Sequence, residues 1–250
     1  MASFDPVKEY GFTAVSADPS KPEPARPTGN PKPVSISDFA IPQTALAKRI
    51  RSYAQAKLPE QTYNHSLRVY TYGRVIIDEY FPQFRFEGGS KLDETWFITA
   101  MLHDIGTTPE HIHSTKLSYE FWAGLHARDL LLDPKGGSDG SVASKDQMES
   151  IVEAIIRHQD VQDKGSISLL TRLIHLGTLT DNVGKNMEMV HEDTVRELNQ
   201  TYQRKGWSGC FKDTVVLEKQ LKPWAMVSRI EGFEDAIQEN GNGLMKEWDA

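Results

Sequence analysis

From Pro42 onward, apolar residues recur mainly at intervals of three and four positions, and strict alternation of apolar and polar residues is scarce. This period is that of an amphipathic helix, so the pattern predicts a helical body and an all-α fold. Capping residues, glycines and an Asp-Pro pair set the expected helix ends. The predicted helices cover about 45–58, 60–81, 92–104, 118–132, 145–158, 167–182 and 193–202. Beyond Lys212 the pattern predicts only an irregular corner at Lys222-Pro223-Trp224.

The first 41 residues differ from this body. Six of the thirteen prolines fall between Pro19 and Pro33, where fixed φ angles and missing N–H donors oppose helix and sheet alike. We therefore expect an extended proline-rich N-terminal arm over residues 1–41 and a single domain over residues 42–250. The arm either drapes over the domain or is a disordered leader. Three apolar residues could anchor it: Tyr10, Phe12 and Val15.

Composition narrows the class of protein. The chain has 250 residues, enough for one hydrophobic core, and a formal net charge of -7, which disfavours general affinity for nucleic acid. Cys210 is the only cysteine, so no intrachain disulfide can form and a disulfide-stapled secreted fold is excluded. The sequence contains neither a secretion signal nor a long apolar run. We expect a cytoplasmic protein that acts on a small molecule, without nucleic-acid or membrane partners.

Candidate chemistry lies in His65, His103, Asp104 and Asp181. Adjacent residues point about 100° apart on a regular helix, so His103 and Asp104 can reach one ion only where their helix ends. Gly106 supplies that end, and we expect it in the left-handed conformation that commonly terminates helices. The other two residues lie within or at the end of apolar helices, so all four side chains can converge in a helical bundle.

Two imidazoles and two carboxylates suit a divalent ion such as zinc or iron(II), with manganese as a further candidate. Such an ion leaves room for a water molecule and lowers its pKa toward about 7, which favours hydration or hydrolysis. Each residue alone also has an ordinary structural explanation, as a core histidine or a helix-terminal polar group. The order and spacing of all four residues favour the metal site.

Other polar residues are weaker candidates. His158 follows an apolar helix face and could be a fifth ligand, a general base or a cap of the helix C-terminus; we favour a catalytic role. Lys116 either orients substrate, binds an anion or is an ordinary surface lysine. His111 and His113 flank Ile112 in a polar loop and are expected to be exposed, although a second metal would need ligands near them.

The ordered metal-site residues resemble the signature of the HD superfamily. The wider sequence is similar to one branch of it, the fungal cyanamide hydratases, also called urea hydro-lyases. This similarity extends over most of the chain from about Pro42 to Trp224. It includes Leu102-His103-Asp104-Ile105-Gly106-Thr107-Thr108 and the segments 63–69, 114–120, 153–160, 180–184, 191–194, 206–207 and 222–224.

The resemblance implies a single-domain HD-type helical bundle with one metal ion, usually zinc. The ion would be bound by His65, His103, Asp104 and Asp181, with His158 beside its open position. The implied reaction is the addition of water to cyanamide, giving urea. The resemblance also suggests a homo-oligomer.

Three residues are candidates to align a small linear substrate: Thr107, Lys116 and Asn182. One segment departs from the family pattern. Where relatives continue the Lys-Pro-Trp sequence with a small residue, histidine and threonine, this chain has Ala225, Met226 and Val227. We expect that difference to bear on the choice of substrate and to leave the metal chemistry intact.

Two alternatives to a hydratase use the same candidate metal ligands. An HD-type phosphohydrolase of nucleotides or other phosphate esters needs several cations, and only Arg68, Lys116 and Arg157 can be placed near the dyad. No glycine-rich phosphate loop accompanies them. A degenerate scaffold that only binds a ligand predicts bound metal without turnover. The complete ligand set favours an enzyme, and the scarcity of cations favours the hydratase.

Overall fold

The computed structural model describes residues 4–18, 29–133 and 141–250. Within them the chain is mainly α-helical, as predicted. The helices are α1 Pro6–Glu9, α2 Ala45–Lys57, α3 Glu60–Tyr80, α4 Lys91–Leu102, α5 Pro109–Ile112, α6 Tyr119–Leu132, α7 Lys145–Arg157, α8 Leu169–Val183, α9 Glu192–Thr201, α10 Trp207–Leu221, α11 Phe233–Asn242 and α12 Lys246–Asp249. Two short strands, β1 Ala14–Ser16 and β2 Ser166–Ser168, pair antiparallel. No helix of these residues is both long and apolar enough to span a membrane.

The seven helices predicted from periodicity are confirmed as α2, α3, α4, α6, α7, α8 and α9, with ends that differ by at most two residues. Side-chain caps explain several of the starts. Thr44, Ser90, Ser144 and Ser168 each accept a hydrogen bond from a main-chain N–H of the first helical turn. Gly184 ends α8 with a left-handed φ of 69°, as its position after Asn182 predicts.

Helix α3 forms the centre of the bundle. Most of its side chains are buried, and it packs against α8 and α4, while α7 covers α4 and α6 covers α7. Helices α3 and α8 approach closely where a Cβ on Gly177 would lie 2.7 Å from the main-chain oxygen of Val69. His65 lies one turn before Val69 and Asp181 lies one turn after Gly177. The close crossing therefore brings the side chains of His65 and Asp181 together one helical turn away from it.

The N-terminal residues that the structure describes lie against the domain. Tyr10 and Val15 are buried, as expected of anchors, while Phe12 is half-buried. Strand β1 pairs with the residues just before α8, with Val15 opposite Ile167. The proline-rich part of the predicted arm at residues 19–28 lies outside the described residues.

Helices α10 and α11 form a second apolar cluster that the sequence analysis did not predict. Its core consists of Trp207, Phe211, Val215, Ala225, Val227, Phe233 and Ile237. The first three residues recur at four-residue intervals, which is a helical signal. This cluster matters for the site because Trp207 stacks on His65.

Replacement of Gly177 by alanine tests the close crossing of α3 and α8. The added Cβ would collide with Val69, so we expect Gly177→Ala to lower the free energy of unfolding of the metal-free protein by about 1–3 kcal/mol. Urea titration followed by circular dichroism measures the change.

Gly209 is the matched control, because it lies on an exposed part of α10 and its Cβ would meet no atom within 4 Å. Alanine there should raise stability by about 0.5–1 kcal/mol. Equal effects of the two substitutions would contradict the assigned crossing.

Candidate metal centre

The His103-Asp104 dyad lies where helix α4 ends. The main-chain N–H of His103 still donates to the oxygen of Thr99 at 3.0 Å, whereas Asp104 has left the helical conformation with φ -100° and ψ 11°. A short 3₁₀ turn at Ile105–Thr107 follows. The helix end lets both side chains reach the same point, which is the arrangement expected from the sequence.

Gly106 has a different role from the one predicted. Positive φ angles occur at several glycines of the described residues, but Gly106 is not among them, so the expectation of a left-handed helix terminator is wrong. A Cβ at Gly106 would lie 2.2 Å from the main-chain oxygen of Tyr119. Glycine is needed here because the turn after the dyad packs directly against the start of α6.

The donor atoms of His65, His103 and Asp104 converge. The Nε2 atoms of the two histidines are 3.3 Å apart, and Oδ2 of Asp104 lies 3.2 Å from Nε2 of His103 and 3.6 Å from Nε2 of His65. All three side chains are almost completely buried, and their donor atoms form a group that could hold one metal ion. Two imidazoles and one carboxylate leave further coordination positions for water, as catalytic metal sites require.

Hydrogen bonds at Nδ1 orient both imidazole rings. Nδ1 of His103 donates to the main-chain oxygen of Ala100 at 2.8 Å, and Nδ1 of His65 donates to Oδ2 of Asp181 at 2.6 Å. A neutral imidazole has one N–H, so these bonds leave the lone pair of each Nε2 directed at the convergence point. Burial lowers the pKa of His65 to about 4 in spite of the neighbouring carboxylates, which keeps that ring neutral.

The carboxylate of Asp104 fits a cation. Both of its oxygens are buried, and neither has a hydrogen-bond partner among the described residues. Burial opposes ionisation of Asp104, but His103 outweighs this effect and holds the pKa of the carboxyl well below its usual range. Burial also opposes protonation of His103, yet Asp104 raises the pKa of that ring. Positive charge is thus favoured between them, and a divalent ion would supply it.

Asp181 does not lie where a direct ligand was predicted. Its carboxylate is at the Nδ1 edge of His65, on the opposite side of the ring from His103 and Asp104, and it is not part of the converging group. Arg68 donates to both of its oxygens at 2.9 Å, and Arg204 donates to Oδ1 at 2.8 Å. The two guanidinium groups hold the carboxylate in this position and, although burial opposes them, keep its pKa well below the usual range. Asp181 orients His65, as carboxylates commonly do behind metal-binding histidines.

His158 reaches the same centre from the end of α7. Its Nδ1 donates to the oxygen of Ile155 at 2.6 Å, which leaves Nε2 as an acceptor 3.6 Å from Oδ1 of Asp104. The hydroxyl of Tyr119 lies 3.2 Å from this Nε2 and receives a hydrogen bond from the amide of Gln159 at 2.6 Å. An unprotonated ring nitrogen beside the converging donors can accept a proton from a bound water molecule.

The residues predicted to align substrate are placed differently. The hydroxyl of Thr107 donates to the main-chain oxygen of Asp104, and Oδ1 of Asn182 accepts from the indole N–H of Trp207. Both side chains are therefore hydrogen-bonded to residues at or next to the centre. The side chain of Lys116 is exposed to solvent, and its main-chain oxygen accepts from the indole of Trp224.

The other two histidines considered in the sequence lie outside the centre. His111 is buried, against the expectation of exposure, with its ring 3.9 Å from that of Trp122. His113 is exposed, as expected. Neither belongs to the metal-binding group among the described residues.

Several residues around the site were not predicted as site residues, although Tyr119, Glu120 and Trp207 lie in segments that carry the family resemblance. Tyr119 and Arg204 are fully buried around the centre, and Trp207 stacks on His65 with ring centroids 4.2 Å apart. Glu120 is also fully buried, and burial raises the pKa of its carboxyl to about 7. For Trp207, the four-residue spacing from Trp207 to Phe211 and Val215 is a further signal of an inward-facing ring.

Comparison with known proteins identifies the family. The model of the HD domain matches residues 62–177, a range that includes His65, His103, Asp104 and His158 and ends before Asp181. Cyanamide hydratase DDI2 and Cyanamide hydratase DDI3 of Saccharomyces cerevisiae are each 35% identical to this chain over 225 residues. The alignment covers 90% of this chain and 93% of each yeast protein. The chain belongs to the cyanamide hydratase family of HD-domain proteins.

Membership of the cyanamide hydratase family agrees with the geometry of the buried centre. This HD-domain chain is an enzyme of the hydro-lyase type with a metal-dependent fold. The group of His65, His103 and Asp104 could hold one metal ion, as a metal-dependent fold requires. The expected family is therefore confirmed by similarity over most of the chain.

Replacement of His103 by alanine should remove most of the metal binding. We expect wild-type protein to bind one zinc ion per chain and His103→Ala to lose most of it, because one of three converging donors is missing. At free zinc about 100 times the dissociation constant, wild-type protein should gain about 2.7 kcal/mol of stability, and the variant should gain far less. Elemental analysis and thermal unfolding with added zinc measure both effects.

His113→Ala is the control, since His113 is exposed and outside the group. It should keep the wild-type metal content. Retention of a full equivalent by the His103 variant would contradict the assigned centre.

Proposed function

We propose that this enzyme adds water to cyanamide, or to a closely related small nitrile, and releases urea or the corresponding amide. One observation carries the proposal: three converging donor atoms lie beside the acceptor nitrogen of His158, and one of them belongs to a buried carboxylate without a hydrogen-bond partner among the described residues. The names of the yeast relatives supply the substrate class.

Zinc is the proposed resident ion, held by His65, His103 and Asp104, with iron(II) as the alternative. When bound, the cation activates a water molecule and polarises the nitrile. These three residues bind it through two nitrogens and a carboxylate, while Asp181 keeps His65 in the required orientation.

His158 is proposed to move the proton. Its Nε2 accepts a proton from water as the C–O bond forms and returns a proton to the nitrile nitrogen. Nothing leaves the substrate, because both parts of the water molecule are added across the carbon–nitrogen triple bond. The isourea that this addition gives becomes urea when its hydroxyl proton moves to the imino nitrogen. Once protonated, Nε2 can donate to the hydroxyl oxygen of Tyr119, which also accepts from Gln159, and this contact keeps the ring in place between the two transfers.

The phosphohydrolase alternative finds less support in the charges around the centre. Arg68 and Arg204 are buried, and each is ion-paired with Asp181. Arg157 pairs with Glu153 and Asp160. Two lysines of the described residues do not supply the missing charge, because Lys222 is buried against Glu218 and the side chain of Lys116 is exposed to solvent. Phosphate recognition requires cations that are available to the ligand.

Direct assay separates the candidate functions. Purified zinc-loaded protein should convert cyanamide to urea, measured by a colorimetric urea assay, and should release no phosphate from nucleoside mono- or triphosphates. A protein that binds zinc but yields neither product would be a binding module. Phosphate release without urea would replace the hydratase proposal by the phosphohydrolase.

Replacement of His158 tests the proton transfer. We expect His158→Ala to keep its zinc, because the three ligands remain, and to lower kcat by about 100-fold or more, because the proton acceptor is missing. His113→Ala should retain full turnover. Loss of zinc from the His158 variant would make His158 a ligand, and full activity would exclude a role in proton transfer.

A further inference from the structure

Helix α12, at residues Lys246–Asp249, folds back against the start of α10. The main-chain N–H of Gly206 donates to the main-chain oxygen of Asp249 at 3.0 Å, and the N–H of Ser208 donates to its Oδ1 at 3.1 Å. Gly206 itself offers no side-chain cap to α10. The carboxylate of Asp249, whose side chain is only 7% exposed, therefore caps α10 from a distant part of the sequence.

The same carboxylate faces Arg204. Its Oδ2 lies 3.5 Å from Nε of that guanidinium, an ion pair without the geometry of a directed hydrogen bond. Arg204 is fully buried and donates through Nη1 to Asp181 at 2.8 Å and through Nη2 to Oγ of Ser208 at 3.1 Å. One guanidinium thus lies between two carboxylates, one of which accepts from Nδ1 of His65.

Charge balance explains why the second carboxylate matters. Arg68 and Arg204 carry two positive charges in the protein interior, and Asp181 and Asp249 carry two negative charges. Without Asp249, one carboxylate would face two guanidinium groups in a medium of low dielectric constant. Asp181 would then be drawn toward the arginines and would accept less effectively from Nδ1 of His65.

Asp249 also acts on His65 through α10. Trp207 is the first residue of that helix, and its indole stacks on the imidazole of His65 at an interplanar angle of 15°. The cap on Ser208 fixes the start of the helix and with it the position of this ring. Asp249 is therefore connected to the same imidazole by two routes, one through Arg204 and Asp181 and one through the start of α10 and Trp207.

We propose that Asp249 is a positioning residue of the metal centre. It keeps Nε2 of His65 directed toward His103 and Asp104. It acts through the pair of Arg204 and Asp181 and through the ring of Trp207. This inference rests on the proposed role of His65 as a ligand. It adds a residue of α12, far from the dyad in sequence, to the groups that set metal affinity.

Asp249→Asn tests the proposal with little change in shape. The amide oxygen can still accept from Ser208, but the negative charge is lost. We expect zinc affinity, measured by competition with a chromophoric chelator, to fall about tenfold, which is typical for groups behind a metal-binding histidine. In the metal-free protein, the NMR signal of the His65 Nδ1 proton should shift, while circular dichroism stays unchanged.

Glu247→Gln is the matched control, an exposed acid in the same helix, and should change neither signal. Asp249→Glu, which retains the charge, should recover most of the affinity. If Asp249→Asn does not fold, Gly241→Ala takes its place, because a Cβ at Gly241 would lie 2.7 Å from Oδ2 of Asp249 and 2.6 Å from Cβ of Ser208, and would disturb the contact between these two residues without removing a charge.

The outcomes distinguish this inference from the proposed function. Wild-type protein that binds no zinc would overturn the metal centre itself. Wild-type binding together with an Asp249→Asn variant of equal zinc affinity and unshifted His65 signal would overturn the role of Asp249 alone. A weaker affinity shared by Glu247→Gln would also overturn it, because the effect would then be one of general charge.

Discussion

Hydrogen bonds at Nδ1 of three buried histidines decide what the centre of this protein can hold. His65, His103 and His158 each give that N–H to a fixed acceptor, respectively Asp181, the carbonyl of Ala100 and the carbonyl of Ile155. Each bond leaves the Nε2 lone pair on the side of Asp104. A ring turned over would place a carbon or an N–H there and lose its acceptor. The acceptors therefore make the interior attractive to a cation.

Two of these acceptors come from the helix that carries the histidine, but the third comes from elsewhere and has to be held in place. Ala100 and Ile155 each precede their histidine by three residues, so the end of a helix supplies them locally. Asp181 lies on α8 and is fixed by two buried arginines. Buried ion pairs add little net stability, because desolvation offsets their attraction. Their value here is orientation, since they keep an ionised carboxylate at the edge of His65.

The sequence predicted the helices and the neighbourhood of the site better than its internal geometry. Period and capping residues are local signals, so α2 to α4 and α6 to α9 were placed within two residues of their observed ends. The three-residue strands β1 and β2 are too short to show alternation, and their pairing joins distant segments. Spacing indicated that His65 and Asp181 meet. It could not indicate which edge of the imidazole the carboxylate would occupy, because that depends on Arg68 and Arg204.

Gly106 shows the same limit at a single residue. A glycine after a helix predicts a left-handed terminator, but its observed role is to let the carbonyl of Tyr119 approach. That contact is set by how α6 packs, which no local pattern encodes. Its consequence is functional, since the same packing places the hydroxyl of Tyr119 against His158.

The surroundings of the centre favour a small neutral substrate over a charged one. Residues 222–229 lie across the start of α6, where Lys222 donates to the oxygen of Leu117 and the N–H of Met226 donates to Ser118. Arg229 at the end of this segment lies 3.8 Å from Asp160, just beyond His158. The segment thus contacts the residue before Tyr119 and the chain just after His158. The arginines around the centre are paired with carboxylates, which fits the proposed small neutral nitrile better than a nucleotide that needs available cations.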